Sequence, residues 1–285
     1  MSDPAEAPAG RSLAILCGGG AFPLQVAAEA RRAGRVPFLI GVVGSSEPGI
    51  EVYPHIWVRM GEIGKLFGAL KERSIAELAM IGRVSRPEFS DLKLDWGAIK
   101  RAGELAQLFR MGDNGLLAGL ARIFEREGLR IVGAHEVAPG LLMTHGALGA
   151  CTPSADDEAD IALGAGLIEA MSRFDVGQAA VAAEGRVVAV EAAEGTDAML
   201  ARVAELRETG RLRYRGLAGV LVKGPKNGQD LRLDMPAVGQ DTIRNAVRAQ
   251  LRGIALAARR VLIVERERCA READDAGLFV WGAEP

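Results

Sequence analysis

Cysteine is scarce in this chain. Three residues in 285, Cys17, Cys151 and Cys269, stand far apart and are odd in number. They offer no C-x-x-C pair and no disulfide framework, which fits a reducing cytoplasm. Histidine is as sparse, and His55, His135 and His145 are too dispersed for zinc-ligand spacing. Aromatics make up 5% of the chain, too few for the stacking platforms of single-strand nucleic-acid binders. Neither sign of charge dominates, the net being -2, so no basic field points to nucleic acid. No apolar run approaches the ~20 residues that span a bilayer. The start, "MSDPAEAPAGR", lacks the basic-then-apolar pattern of a signal peptide, and residues 1–11 read as a disordered polar tail. The expectation is a soluble or at most peripheral protein. There is no G-x-S-x-G elbow, and Cys17 inside an apolar strand reads as core, so covalent acyl or thiol chemistry is disfavoured.

What is present is an alternation of strand and helix. "SLAILCGGGAFPLQVAAEARRAG" reads as a strand over 13–17, a glycine turn and a helix over roughly 23–32. "VPFLIGVVG" is a second strand, "GEIGKLFGALKERS" a helix with Ile63, Leu66, Phe67 and Leu70 on one face, and "IAELAMIGRVSRP" a third strand ending near Ile81. A helix at "DNGLLAGLARIFEREG" and a strand at "LRIVGAHEV" follow. The predicted fold is α/β: an N-terminal Rossmann-like parallel sheet with helices on both faces over 12–138, and a mixed α/β catalytic domain over 139–285. In the second part the pattern predicts a helix over 157–173, a hairpin turning at Glu184-Gly185, a helix in "TDAMLARVAELRETG", a strand at Val220–Val222 and one long helix in "TIRNAVRAQLRGIALAARR". A strand, "VLIVE", and a short end, "GLFVWG", complete it.

Several motifs carry chemistry, each with a bland alternative. "CGGGAFP" sits where a phosphate-binding turn would sit, with Gly19 and Gly20 admitting an anion to a helix N-terminus. It departs from the dinucleotide fingerprint at Pro23, and no acidic residue ends the second strand. A tight turn needed only for packing is the alternative. In "GRVSRP", Arg83 and Arg86 could clamp a phosphate and Ser85 could donate to one, or the arginines are simply solvated. Asp113 could orient a sugar hydroxyl or hydrate a metal, while Asn114 reads first as a helix cap. His135 reads first as a satisfied structural residue and second as catalytic. Thr196 or Asp197 could cap a helix, or Asp197 could join Glu191 and Glu194 in attracting a hard cation. Arg244, Arg248 and Arg252 repeat every four residues, as on a solvated helix face or one leaning on anionic lipid.

The densest stretch is "VLVKGPKNGQDLRLDMPAVG", 220–239. Lys223, Lys226 and Arg232 can neutralise phosphate oxygens, while Asp230 or Asp234 binds a metal or positions a water. Magnesium suits such a loop, because it needs one or two carboxylates plus waters and substrate oxygens. Structural salt bridges in a charged turn would leave the same letters.

"GGGAFP", "GRVSRP", "GDNGLL", "GAHEV", "DVGQAAV", "VEAAEGTDAML" and "VKGPKNGQDLRLDMPAVG", in that order and spacing, resemble the UDP-2,3-diacylglucosamine pyrophosphatases of lipid A biosynthesis. The likeness is to the alphaproteobacterial type, unrelated to the di-metal phosphoesterases, and it runs from about Leu13 to Gly282. It implies hydrolysis of UDP-2,3-diacylglucosamine to UMP and 2,3-diacylglucosamine 1-phosphate (lipid X), with water attacking the α-phosphorus. It also implies magnesium (manganese as a substitute), a two-domain fold holding the lipid product, and a peripheral enzyme on the cytoplasmic face of the inner membrane. A homodimer is one option and nucleic acid is not a partner. By this resemblance Asp234, in its Arg-x-Asp-x-Pro context, is catalytic, and the charge of the loop adds Lys223 and Lys226 as catalytic candidates. Gly19, Gly20, Arg83, Ser85, Arg86, Asp113, Asn114, Gln178, Thr196 and Arg232 are candidate substrate contacts, and Asp234, Asp197 and Asp230 candidate metal ligands. Where that family often has Lys-Ala-Pro-Lys-Pro, "KGPKNG" is expected to loosen the loop. Rival readings are a hydrolase of another nucleotide-diphosphate sugar, a non-catalytic glycolipid or nucleotide-sugar binder, and a Rossmann oxidoreductase.

Overall fold

The computed structural model describes residues 12–82, 95–96, 102–108 and 113–284. The expected tail at 1–11 lies outside the described residues, as do Arg83, Ser85 and Arg86. The chain divides into two compact units: one runs through Gly140 and includes Arg232–Asp234, and the other comprises Leu141–Leu231 and Met235–Pro285. Among the described residues no helix is long and apolar enough to cross a membrane.

The first unit is built from β1 (Ser12–Cys17), α1 (Phe22–Arg32), β2 (Val36–Val42), β3 (His55–Val58), α2 (Ile63–Glu72), β4 (Glu77–Ile81), α3 (Ala102–Leu108), α4 (Asp113–Arg126), β5 (Arg130–Ile131) and α5 (Ala134–Val137). The strands form one sheet in the order β3-β2-β1-β4-β5, with every pair parallel. Its central strand hides Leu13, Ala14, Ile15 and Cys17 completely, the continuous apolar run a doubly covered parallel strand requires. One core gathers Phe38, Ile40, Leu66, Leu70, Leu78 and Phe124, and Leu233 packs against it. The chain order reverses between β1 and β4, and at such a switch point open α/β sheets bind ligands beyond the strands' carboxyl ends.

The second unit contains β6 (Gly146–Ala147), α6 (Ala155–Met171), β7 (Ala179–Ala183), β8 (Arg186–Val190), α7 (Thr196–Glu208), β9 (Val220–Lys223), β10 (Ala237–Val238), α8 (Gln240–Arg248), β11 (Gly253–Ala257), β12 (Leu262–Ile263), α9 (Arg266–Asp275) and β13 (Phe279–Ala283). Six of its strands make a mixed sheet in the order β6-β13-β11-β9-β7-β8, and β10 pairs with β12. The hairpin turns at Glu184 (φ 51°) and Gly185 (φ 73°), left-handed conformations that suit a tight two-residue turn. Asp160 of α6, itself buried, accepts both of their N–H groups, at 3.0 and 2.8 Å.

The structure corrects four expectations. "HIWV" is a strand, so the strand ending at Ile81 is the fourth. "GAHEV" is not strand: β5 stops at Ile131, and His135 rides the short helix α5. The long helix expected over 242–260 ends at Arg248, and Gly253–Ala257 is a central strand. Gln250 turns the chain at φ 54°. A Cβ on Gly253 would fall 2.3 Å from the Phe279 ring, so glycine is what lets β11 lie against β13. Arg252 therefore belongs to no basic helix face; it pairs with buried Asp157 at 3.2 Å.

Candidate active site

In the first unit the glycine turn occupies the switch point. Gly18 N–H donates to the Ile81 carbonyl at 2.7 Å, tying the end of β1 to the end of β4. Gly82 follows at φ 97°, and a Cβ there would meet Gly18 C, Gly19 O and Pro23 Cγ, each at 3.0 Å. Gly20, at φ 86°, is exposed with no atom within 4 Å of a would-be Cβ. α1 begins without a side-chain cap and without an acidic residue in its first turn, leaving amide donors and a positive dipole end at the turn. Arg83, Ser85 and Arg86 continue from Gly82 outside the described residues. Asp113 and Asn114 open α4. Cys17 is sealed in β1, and burial pushes its thiol up to about 12, which removes it from chemistry at neutral pH.

Three residues of the charged stretch belong with this unit. Arg232 pairs with Glu125 at 3.2 Å, both substantially exposed. A Cβ on Gly133 would lie 3.0 Å from the Arg232 Cα and 2.4 Å from His135 Cε1, so the segment and the imidazole both press on that glycine. His135 Nδ1 is buried and has no hydrogen-bond partner among the described residues. Asp234 is partly buried two residues after Arg232.

In the second unit the carboxyl end of β9 carries a buried polar chain. Lys223 is 7% exposed and its Nζ donates to Thr196 Oγ1 at 2.7 Å. Thr196, 8% exposed, donates in turn to Glu191 Oε1 at 3.0 Å. Glu191, 7% exposed, uses its other oxygen to accept the Gln178 N–H at 3.0 Å. A buried lysine is tolerated only where its charge is compensated, and here a carboxylate lies one hydroxyl away. The local sequence builds this arrangement. Gly195 (φ 82°) starts α7 as its N-cap, so neither Thr196 nor Asp197 is spent on capping. Thr196 is free to bridge Lys223 and Glu191. Asp197 instead accepts from Thr242 Oγ1 at 3.2 Å, and Glu194 pairs with Arg202 at 2.8 Å. The carboxylates of "VEAAEGTD" thus face three different partners.

Beyond β9, hydrogen bonds tie the loop to its surroundings. Lys226 Nζ pairs with Asp175, Lys226 N–H donates to Gln229 Oε1 at 2.9 Å, and Gln229 N–H donates to the Lys226 carbonyl at 3.2 Å. Asn227 N–H donates to Ser172 Oγ at 3.0 Å. Gly224 donates to the Gln178 carbonyl at 3.1 Å and is buried, while Asp230 is exposed. The Gln178 Oε1 atom is buried with no partner among the described residues. A cavity of about 460 Å³ opens beside this strand end, with Ile161, Ala165 and Ile168 of α6 facing Val222, Ala255 and Pro225. Among the described residues no three His, Cys, Asp or Glu side chains converge as a metal cage. Magnesium, which keeps most of its waters, fits a donor set of one or two loop carboxylates completed by substrate oxygens. Sequence reasoning grouped Glu191 with possible cation ligands. Its role as the far end of a lysine-holding chain had no signal in the letters.

Apart from residues 232–234, the two units follow two family models. Residues 12–141 match the LpxI N-terminal domain and residues 144–281 the LpxI C-terminal domain. A curated relative from Caulobacter vibrioides, UDP-2,3-diacylglucosamine pyrophosphatase LpxI, is 42% identical over 275 residues, covering 96% of this chain and 98% of the relative. With both halves matched end to end, the chain belongs to the LpxI family.

Proposed function

We propose that this protein hydrolyses UDP-2,3-diacylglucosamine to UMP and 2,3-diacylglucosamine 1-phosphate, a step of lipid A biosynthesis. The observation that carries the reading is the 42% identity to a UDP-2,3-diacylglucosamine pyrophosphatase over nearly the whole of both chains. The local chemistry supports it. The uncapped α1 terminus and its glycine turn offer amide donors to an anion. Lys223 and Lys226 neutralise phosphate oxygens, and Asp234 orients the water that attacks the α-phosphorus in line. A magnesium ion, when bound, would add Lewis-acid charge neutralisation at the diphosphate; Asp230 and Asp234 are the carboxylates assigned to it, with Asp197 already engaged by Thr242. The apolar side of the cavity beside β9, with Ile161, Ala165, Ile168, Val222 and Ala255, offers room for acyl carbons. Work on a substrate with two acyl chains suits a peripheral enzyme, held in this reading at the cytoplasmic face of the inner membrane.

The test is direct. Purified protein is given UDP-2,3-diacylglucosamine in oxygen-18 water, and products are read by phosphorus NMR and mass spectrometry. UMP and the acylated sugar 1-phosphate should appear in equal amounts, with the heavy oxygen on the UMP phosphate, the mark of attack at the α-phosphorus. Label on the sugar phosphate alone would move the attack to the other phosphorus. No turnover with magnesium or manganese would leave a binder rather than an enzyme.

A further inference from the structure

We propose that the corner between α6 and β7, residues 172–175, docks on a phospholipid bilayer, with Phe174 seated at the boundary of headgroups and acyl chains and Arg173 meeting lipid phosphate. This docking rests on the reading above of a peripheral enzyme with a two-chain substrate, and it names the surface that meets the membrane. Phe174 is 64% exposed. The Arg173 guanidinium lies over its ring, 4.7 Å from the centroid. Arg173 is itself exposed and forms no ion pair among the described residues. Single exposed apolar side chains are common on soluble surfaces. What sets this one apart is the bracing of the backbone that carries it. Ser172 Oγ donates to the Ile168 carbonyl at 2.8 Å and accepts the Asn227 N–H at 3.0 Å. Asp175 turns the chain in a left-handed conformation at φ 56°, and its carboxylate pairs with Lys226. The corner is thus tied both to α6 and to the loop after β9, and the ring stays outside.

The same bonds join the corner to the cavity beside β9. Ile168 and Asn227, linked through Ser172, both line that cavity. Back along α6, Ala159, Ala162, Gly166 and Ala170 are exposed and uncharged, at the spacing of three or four residues that keeps them on one side of a helix. The charges beside the ring are Arg173, the Asp175 carboxylate paired with Lys226, and exposed Glu169 on the cavity side. Size decides between a bilayer and a second copy of the chain. A stable protein interface takes about 800 Å² from each partner, one aromatic side chain supplies about 150–250 Å², and its apolar neighbours here are alanine and glycine. A bilayer needs no such area. An aromatic ring beside a cation suits the headgroup level, where the ring meets acyl carbons and the guanidinium meets phosphate. A corner seated there brings the cavity rim to the lipid, so an acyl chain passes into the protein with little exposure to water.

The experiment uses the full-length protein, the variants Phe174→Ser, Phe174→Trp and Arg173→Gln, and vesicles of phosphatidylethanolamine and phosphatidylglycerol. Thermal unfolding checks the fold, and vesicle flotation reads partitioning without substrate. Phe174→Ser should weaken partitioning about tenfold, the scale of withdrawing one large apolar side chain from hydrocarbon. Arg173→Gln should weaken it about fivefold, the scale of one cation at an anionic leaflet. Phe174→Trp should partition like wild type, and its added emission should be quenched by brominated acyl chains. Turnover of UDP-2,3-diacylglucosamine carried in the vesicles should fall with partitioning in Phe174→Ser, while kcat/KM on a water-soluble short-acyl analogue stays at the wild-type value. A folded Phe174→Ser that partitions like wild type, or a Phe174→Trp emission untouched by bromine, overturns the docking. Unchanged partitioning with a dimer lost in sedimentation velocity would make the corner an interface between copies. Unchanged partitioning with kcat/KM lost on the soluble analogue would make Phe174 a substrate contact. If the wild type partitions through Phe174 yet hydrolyses nothing, the hydrolase reading fails and the docking stands.

Discussion

Gly177 lies directly against the backbone of Glu191: a Cβ added to the glycine would fall 2.3 Å from the Glu191 carbonyl oxygen. The glycine in "DVGQAAV" is thus the surface on which the end of β8 rests. Gly177→Ala must push Glu191 outward, and with it the acceptor of Thr196. Overpacking of this kind costs about 1–3 kcal/mol. The expected result is a lowered Tm together with a fall in kcat/KM. A variant matching wild type in both would show that the strand end moves aside at no cost.

Asp234→Ala should lower kcat by about 10²- to 10³-fold or more, the scale of losing one preorganised group. Pro236 has a fixed φ and restrains the backbone that presents the carboxylate. Binding through the lysines and the glycine turn should survive, so the variant should retain uncleaved substrate in native mass spectrometry. Near wild-type turnover would move the centre of the chemistry elsewhere.

Gly20→Ala tests the glycine turn. The added carbon meets nothing within 4 Å, so any change comes from the left-handed backbone at φ 86° and from loss of close approach by a ligand. Strain of about 1 kcal/mol should lower Tm slightly. KM should rise well beyond what that strain explains. An unchanged KM would make the turn a packing device only.

The proposed role for magnesium is tested by chelation. EDTA should abolish turnover, and magnesium or manganese should restore it. Full activity in excess chelator would remove the ion from the reaction.

Asp157 supplies a pH signature. Burial works against its charge, but the Ser154 N–H and hydroxyl and the Arg252 guanidinium together hold its carboxyl below the usual carboxylate range. A depressed folded-state value means the stabilisation is complete above about pH 4, the unfolded value, and is lost as pH falls through the folded one. Asp157→Asn should cost about 1–2 kcal/mol at neutral pH, the scale of losing a helix-start box. The gap from wild type should close in acid, as measured by denaturant unfolding at several pH values.

Much of the fold was legible because its signals are local. The glycine turn after an apolar strand marked β1–α1, and Glu184-Gly185 marked the hairpin. The failures have a common cause. In "TIRNAVRAQLRGIALAARR" an amphipathic helix runs into a buried parallel strand, and the apolar residues of the two follow one another with no proline between them. What separates them is Phe279 lying on Gly253, a contact between residues distant in sequence. The site divides in the same way. Lys223 stood out by the charge of its loop, Thr196 by its place before a helix and Gln178 through a resemblance, but the hydrogen bonds linking Lys223 to Glu191 depend on where Gly195 turns the chain, which spacing does not reveal.

The assignment of Arg232–Asp234 to the first unit has a consequence for anyone who would cut or recombine this protein. The main chain crosses between units three times, not once. A fragment ending where the N-terminal family model ends, at residue 141, would lack Leu233, which packs on that unit's core. The halves are therefore not exchangeable cassettes. A working chimera between relatives would have to carry residues 232–234 with the donor of the N-terminal half, so the aspartate assigned to the chemistry would be inherited with the other domain's core.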